Sequence, residues 1–215
     1  MNADTQRNIK MRLGEAIHEG ILAVPPQPQG LVLFAHGSGS SRHSSRNHFV
    51  ARQLREVGLA TLLVDLLSES EDEVYETRFD IDLLADRLVQ ASAWVAEQPE
   101  LAELPQGYFG ASTGAAAALK AAAQLPGTIR AVVSRGGRPD LAGEALPRVD
   151  APTPLIVGGA DTQVIELNQQ ARARMQGNTE LVIVPGATHL FEEPGTLYQA
   201  SQLAAEWFVR WLRPE

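Results

Sequence analysis

Apolar positions along this chain fall into two alternating patterns. Short continuous apolar runs occupy 31–35, 154–157 and 181–184, mainly apolar ones broken only by Thr61 and Arg130 occupy 60–64 and 129–133, and a shorter one, Tyr108-Phe109, precedes Gly110. Glycine, proline or polar residues bound them, as expected of strands covered on both faces. Between the runs, apolar residues recur at helical spacing. Ile81, Leu84, Leu88, Ala91 and Val95 make one stripe behind Asp80, a plausible N-cap. Helices are also expected over about 47–57, 115–123 and 164–175. A last helix should start near Thr196, with Gln199 completing a capping box and Leu197, Ala200, Ala204, Phe208 and Trp211 forming its buried stripe. The stretch up to Val24 reads as a strand or hairpin ended by Pro25, Pro26 and Pro28, and 66–79 as an acidic, irregular surface excursion.

Strands alternating with amphipathic helices predict an α/β fold: a mostly parallel central sheet with helices on both faces. No repeat or low-complexity linker interrupts the pattern, so a single domain is expected over 1–215. Ligands of such sheets sit at the carboxyl ends of the strands. The loops 36–46, 65–79, 110–114, 134–150, 158–163 and 185–194 each follow a strand, so they should gather on that edge.

Composition narrows the classes. Of 215 residues, 44% are hydrophobic and 20% charged, an ordinary soluble balance. The net charge of −8, with no basic run, argues against nucleic-acid binding. The chain has no cysteine, which excludes disulfides, thiolate catalysis and cysteine metal sites. No H-E-x-x-H pattern points to a metal, and no cofactor is called for. The first ten residues lack the apolar core of a signal peptide, and no stretch reaches the ~20 apolar residues of a membrane span, so a cytoplasmic location is expected.

The chemistry centres on Gly110-Ala111-Ser112-Thr113-Gly114, a G-x-S-x-G sequence between a strand and an alanine-rich helix. In that context the serine stands on a sharp, strained turn, and the two glycines let strand and helix pass close together. A serine hydroxyl needs a base, and the base needs an orienting group. His189 follows the last strand, and Asp161 follows the one before it. Ser112, Asp161 and His189 thus occur in the chain order of the α/β-hydrolase fold, each just past a strand. Glu192 or Glu193 is the reserve acid. Asp161 could instead simply cap the following helix.

Negative charge on a carbonyl oxygen must meet backbone amides. Thr113 offers one, and Ser38, with Gly39 as the alternative, offers the other from His36-Gly37-Ser38-Gly39. His36 reads as a structural hydrogen-bonding residue. Gly37-Ser38-Gly39 could also belong to a phosphate-binding turn, but Arg42 stands where its third glycine should be. Arg135 and Arg138 follow a strand near the presumed site. Either could hold an acidic group of a substrate, or pair with Asp140 or a neighbouring acid. Residues 134–154 leave room for little more than a short helix, so no substantial lid is expected.

These segments resemble the small, lidless dienelactone-hydrolase-like branch of the α/β-hydrolases. The likeness rests on 33–40, Val64-Asp65-Leu66, Gly110-Ala111-Ser112-Thr113-Gly114, 134–141 and 189–195, and spans nearly the whole chain. It implies an α/β-hydrolase fold with Ser112, Asp161 and His189 as nucleophile, acid and base. Dienelactone hydrolase itself uses a cysteine, so the resemblance here is to a serine-nucleophile form.

The expected function is hydrolysis of an ester, lactone or thioester of a small acyl substrate through an acyl-enzyme on Ser112. Transfer to an alcohol or peroxide by the same residues, and a catalytically silent binding protein on the same fold, are the alternatives. Trp207 and Trp211 fit either a homodimer face or core packing.

Overall fold

Eight strands form one sheet in the computed structural model, which describes residues 5–213. The first four and last two residues of the expected 1–215 domain lie outside the described residues. The strands are β1 (Thr5–Leu13), β2 (Ala16–Val24), β3 (Gly30–Ala35), β4 (Leu59–Val64), β5 (Gln106–Ala111), β6 (Ile129–Arg135), β7 (Thr153–Gly158) and β8 (Thr179–Val184). Their order across the sheet is β1-β2-β4-β3-β5-β6-β7-β8. The hairpin β1–β2 joins β4 antiparallel, and from β4 to β8 every pairing is parallel.

The continuous apolar runs form the inner strands for the expected reason. In β3, β4, β5 and β7 every residue is buried, because both faces are covered. Successive residues of β3 feed opposite cores. Leu31, Leu33 and Ala35 face the core under α3 (Ile81–Ala96) and α4 (Thr113–Gln124). Val32 and Phe34 face the core under α1 (Ser45–Glu56) and α6 (Thr196–Trp211).

Local signals account for most helix boundaries. Ser44 caps α1 through Asn47 N–H, and Asp80 caps α3 through Leu83 N–H at 3.0 Å. All five residues of the expected stripe in α3 are buried. The acidic stretch 66–79 is less irregular than expected. It holds the short α2 (Glu69–Asp72), closed by a capping box between Ser68 and Glu71, and a 3₁₀ turn at Tyr75–Phe79.

One cap differs from expectation. The N-cap of α6 is Gly195, in the left-handed region at φ 81°, so Thr196 already lies inside the helix. Its hydroxyl donates to Glu193 C=O at 2.8 Å, and Gln199 takes part only through its backbone N–H. The buried stripe of α6 shifts accordingly. Trp207 is buried and its indole N–H donates to Pro152 C=O at 3.0 Å, while Leu197 and Trp211 are half-buried.

The region between β6 and β7 holds only a 3₁₀ segment, Pro139–Arg148, which packs on α4 and α5 (Thr162–Arg172). Among the described residues no lid covers the carboxyl edge. Among the described residues no helix is long and apolar enough to cross a membrane.

Candidate active site

The turn from β5 into α4 is built as its sequence suggests. Ser112 has φ 52° and ψ −123°, a backbone conformation that side-chain-bearing residues rarely adopt and that costs about 1–3 kcal/mol. Its neighbours hold it there. Ser112 N–H donates to Arg135 C=O at 3.3 Å, and Arg138 N–H donates to Ser112 C=O at 3.1 Å. The glycines serve two different contacts. A methyl carbon on Gly110 would lie 2.7 Å from Ala115 N in the helix that follows. On Gly114 it would instead meet the end of the neighbouring strand β3, 2.5 Å from His36 O. The expected close passage of strand and helix therefore explains Gly110, whereas Gly114 answers to β3.

His189 and Asp161 reach the serine from the next loops. His189 Nε2 lies 3.3 Å from Ser112 Oγ, and His189 Nδ1 lies 2.7 Å from Asp161 Oδ2. Asp161 occupies the N-cap position of α5, yet its side chain makes no capping bond there. The carboxylate faces the imidazole instead. Ala160 N–H donates to Ala187 C=O at 2.9 Å, which ties the aspartate loop to the histidine loop. The two reserve acids do other things. Glu193 accepts from Thr188 N–H and Thr188 Oγ–H, at 3.0 and 2.6 Å, and these bonds hold its carboxyl below the usual range. Glu192 pairs with Arg46 across the loop mouth at 3.5 Å.

With a hydrogen on Nδ1 held by the carboxylate, Nε2 is the lone-pair nitrogen facing the hydroxyl. Such an arrangement can take the serine proton as the oxygen attacks a carbonyl, and stabilise the imidazolium that results.

The loop after β3 lies beside the serine. A methyl carbon on Gly37 would stand 3.2 Å from Ser112 Cβ, so this loop runs against Ser112. His36 is buried, and burial lowers its pKa below 6.5. Its Nε2 accepts from Leu66 N–H at 3.1 Å and its Nδ1 lies 3.0 Å from Gly37 O, so it is a neutral brace between two loops. The loop is tied from the far side by Arg42, which pairs with Asp65 and Glu19. Ser38 N–H is already engaged: it donates to Thr113 Oγ1 at 2.8 Å. Gly39 is in the left-handed region at φ 66°, with open space around it.

The two arginines part company. Arg138 forms a two-point pair with Asp140, at 2.9 and 2.8 Å, which raises its pKa. Arg135 is 6% exposed, and its guanidinium makes no hydrogen bond or ion pair with any described residue. Its guanidinium lies over the Phe191 ring, 5.5 Å from the centroid. Burial, and then repulsion from Arg46, push its pKa down to about 10. Phe191 itself has φ 56°, a strained value for an aromatic residue. Neither Arg46 nor Phe191 is singled out by the sequence.

Two cavities flank the loop after β3. One, of about 270 Å³, is lined by Ser112, His189, Ser38, Arg135, Arg46 and Leu190. The larger, about 620 Å³, lies on the other side, between His18, Arg42, Asp65 and Ser68, and does not reach Ser112. Of these two, the smaller is the candidate site because it holds the serine and the imidazole. No group of three or more metal-ligating side chains is present among the described residues.

Comparison with known proteins adds an independent line. The family model described as the Dienelactone hydrolase family matches residues 19–214. Two proteins of Mycobacterium tuberculosis, from strains CDC 1551 and H37Rv, are 60% identical over 190 residues and are named phosphoribosyl transferases. That match covers 88% of this chain but 43% of each relative, so the chain spans less than half the length of the curated relatives it matches. A crystal structure of a dienelactone hydrolase from Anabaena variabilis ATCC 29413 is 54% identical, with TM-score 0.96, covering 98% of this chain and 99% of that one. Est1E from Butyrivibrio proteoclasticus shares the fold at TM-score 0.80 and 16% identity, covering 94% of this chain and 98% of that one.

Proposed function

We propose that this chain, which belongs to the dienelactone hydrolase family, is an ester-hydrolysing enzyme that cleaves esters, lactones or thioesters of a small substrate through an acyl-enzyme on Ser112. The observation that carries this reading is the run of contacts Ser112 Oγ, His189 and Asp161, with the serine on a positive-φ turn. Ser112 attacks the carbonyl carbon and its proton passes to His189 Nε2. Asp161 fixes the ring tautomer and stabilises the charged imidazole. The protonated imidazole then gives its proton to the leaving oxygen or sulfur. A water molecule, activated by the same nitrogen, releases the acid and restores Ser112. The amide of Thr113, at the first position of α4 where helix amides lack intrahelical partners, faces the developing oxyanion. No cofactor takes part.

Arg135 defines the substrate end of the site. A buried guanidinium with no carboxylate partner is costly to keep, and a carboxylate or phosphate on the substrate would complete it. Arg138 and Gly39 have smaller claims to the substrate, since Arg138 is occupied by Asp140. The absence of a lid favours short acyl groups in a cytoplasmic enzyme. The name phosphoribosyl transferase belongs to relatives more than twice as long. In this chain Gly37-Ser38-Gly39 lies against the serine, which supports an oxyanion loop over a phosphate-binding turn.

The test is reaction with a fluorophosphonate, with the adduct located by peptide mass spectrometry. Rapid labelling of Ser112, lost in His189→Ala, is expected. A folded protein that remains unlabelled would put the silent binding protein first. Product analysis with added alcohol or peroxide separates hydrolysis from transfer.

A further inference from the structure

The first of the two amides expected as the second oxyanion donor is already engaged. The amide expected to face the carbonyl oxygen, Ser38 N–H, donates instead to Thr113 Oγ1 at 2.8 Å. An amide has one hydrogen, and a good bond to one acceptor leaves little for a second. A hydroxyl is different. It accepts through a lone pair and still has its own hydrogen to give. Thr113 is 5% exposed, and the bond from Ser38 is the only hydrogen bond of its side chain among the described residues. The hydroxyl hydrogen is therefore unassigned, in a buried place one residue beyond Ser112 in the chain and 2.8 Å from an amide of the loop that lines the Ser112 cavity.

Resting on the serine-hydrolase reading above, we propose that Thr113 supplies two oxyanion donors, its backbone N–H and its hydroxyl, and that Ser38 N–H serves to orient and polarise that hydroxyl. The relay is Ser38 N–H to Thr113 Oγ, and Thr113 Oγ–H to the carbonyl oxygen. Accepting a hydrogen bond makes a hydroxyl a stronger donor, and the buried surroundings raise the value of each bond. The loop carrying Ser38 is held for this role from both sides. Gly37 lies against Ser112, and Arg42 anchors the loop to Asp65 and Glu19. No bond is made or broken at Thr113, so the acyl-transfer chemistry is unchanged. What changes is which atoms meet the charge.

Two variants test this with 4-nitrophenyl acetate as the probe. Thr113→Val keeps the branched shape, removes the hydroxyl and frees Ser38 N–H. Thr113→Ser keeps the hydroxyl and loses the methyl group. The expected result is a fall in kcat of about 10²–10³-fold for Thr113→Val with KM nearly unchanged, as for other oxyanion donors, and kcat within about fivefold of the parent for Thr113→Ser. A Thr113→Val enzyme that matches or exceeds the parent would overturn the proposal, because the hydroxyl would then only block an amide that works better alone. Equal losses in both variants would overturn it too, by assigning the effect to packing. Fluorophosphonate labelling of Ser112 in the parent separates this from the underlying reading. If the parent serine labels and Thr113→Val keeps its kcat, only the role of Thr113 falls. If the parent serine does not label, the hydrolase mechanism falls and takes this inference with it.

Discussion

Gly114 lies directly against the end of the strand that leads to His36: a methyl carbon placed on it would come within 2.5 Å of the His36 carbonyl oxygen. The obstruction is backbone, which cannot rotate away. Gly114→Ala should therefore push α4 and β3 apart and cost about 2–3 kcal/mol or more, beyond the usual price of overpacking. Because α4 carries Ser112 at its start, activity should fall with stability. Thermal melting together with ester turnover checks this. An alanine variant with the parent Tm and activity would contradict the close packing described here.

Ser112 stores strain that its chemistry does not need in the ground state. Ser112→Ala should lose at least three powers of ten in turnover while keeping the fold, since the other residues of the site remain in place. Ser112→Gly should be equally inactive but at least as stable as Ser112→Ala, because glycine adopts φ 52° without a side-chain clash. Paired denaturation curves decide the matter. If the alanine variant proves clearly the more stable, the turn is not strained.

His36 gives a pH dependence of known sign. Burial holds its pKa below 6.5 in the folded protein, so the unfolded chain takes up this proton first as the solution is acidified. The stability it contributes is full above about pH 6.5 and is lost as the pH falls towards the folded value. His36→Gln should flatten the stability profile between pH 6.5 and 5, at a cost in stability at pH 7.5 from the lost bond with Leu66 N–H. Denaturant midpoints measured across that range are the check, and an unchanged acid slope in the variant would assign it to other groups.

Arg135 should trade binding against stability. Replacing it by methionine removes a buried, unpartnered charge, so Arg135→Met should gain on the order of 1 kcal/mol in stability. The same change should raise KM at least tenfold for an ester whose acyl part carries a carboxylate or phosphate. The loss for 4-nitrophenyl acetate, which carries no anion, should be much smaller. Equal losses on both substrates would mean that Arg135 shapes the site without holding the substrate.

Much of this architecture could be read from residue order, and the parts that could not share a cause. Strand β3 was legible because Leu31 to Ala35 is unbroken by polar residues, and buried parallel strands have that composition. Ser112, Asp161 and His189 were legible as candidates because each lies in the loop that follows such a run. The capping box at Thr196 failed because Gly195 can take the left-handed cap, which leaves the threonine inside the helix. The engagement of Ser38 N–H by Thr113 and the clamp of Arg42 on Asp65 and Glu19 join segments far apart in the chain. No local periodicity encodes them. The positive φ of Phe191 left no signal either, since an aromatic residue does not announce a left-handed backbone.

The position of β8 bears on when the enzyme first becomes active. Ser112 is translated well before Asp161 and His189, and the loop that carries His189 follows β8, which pairs on one side only, with β7. A nascent chain that has emerged as far as β6 lacks Asp161 and His189, so on the mechanism proposed above its serine is expected to be inert. On that mechanism, ester cleavage is expected only once the last strand has joined the sheet edge. Conversely, on that mechanism the unzipping of this one strand would silence the site while the seven others remain paired, so turnover would report on the sheet's outer edge.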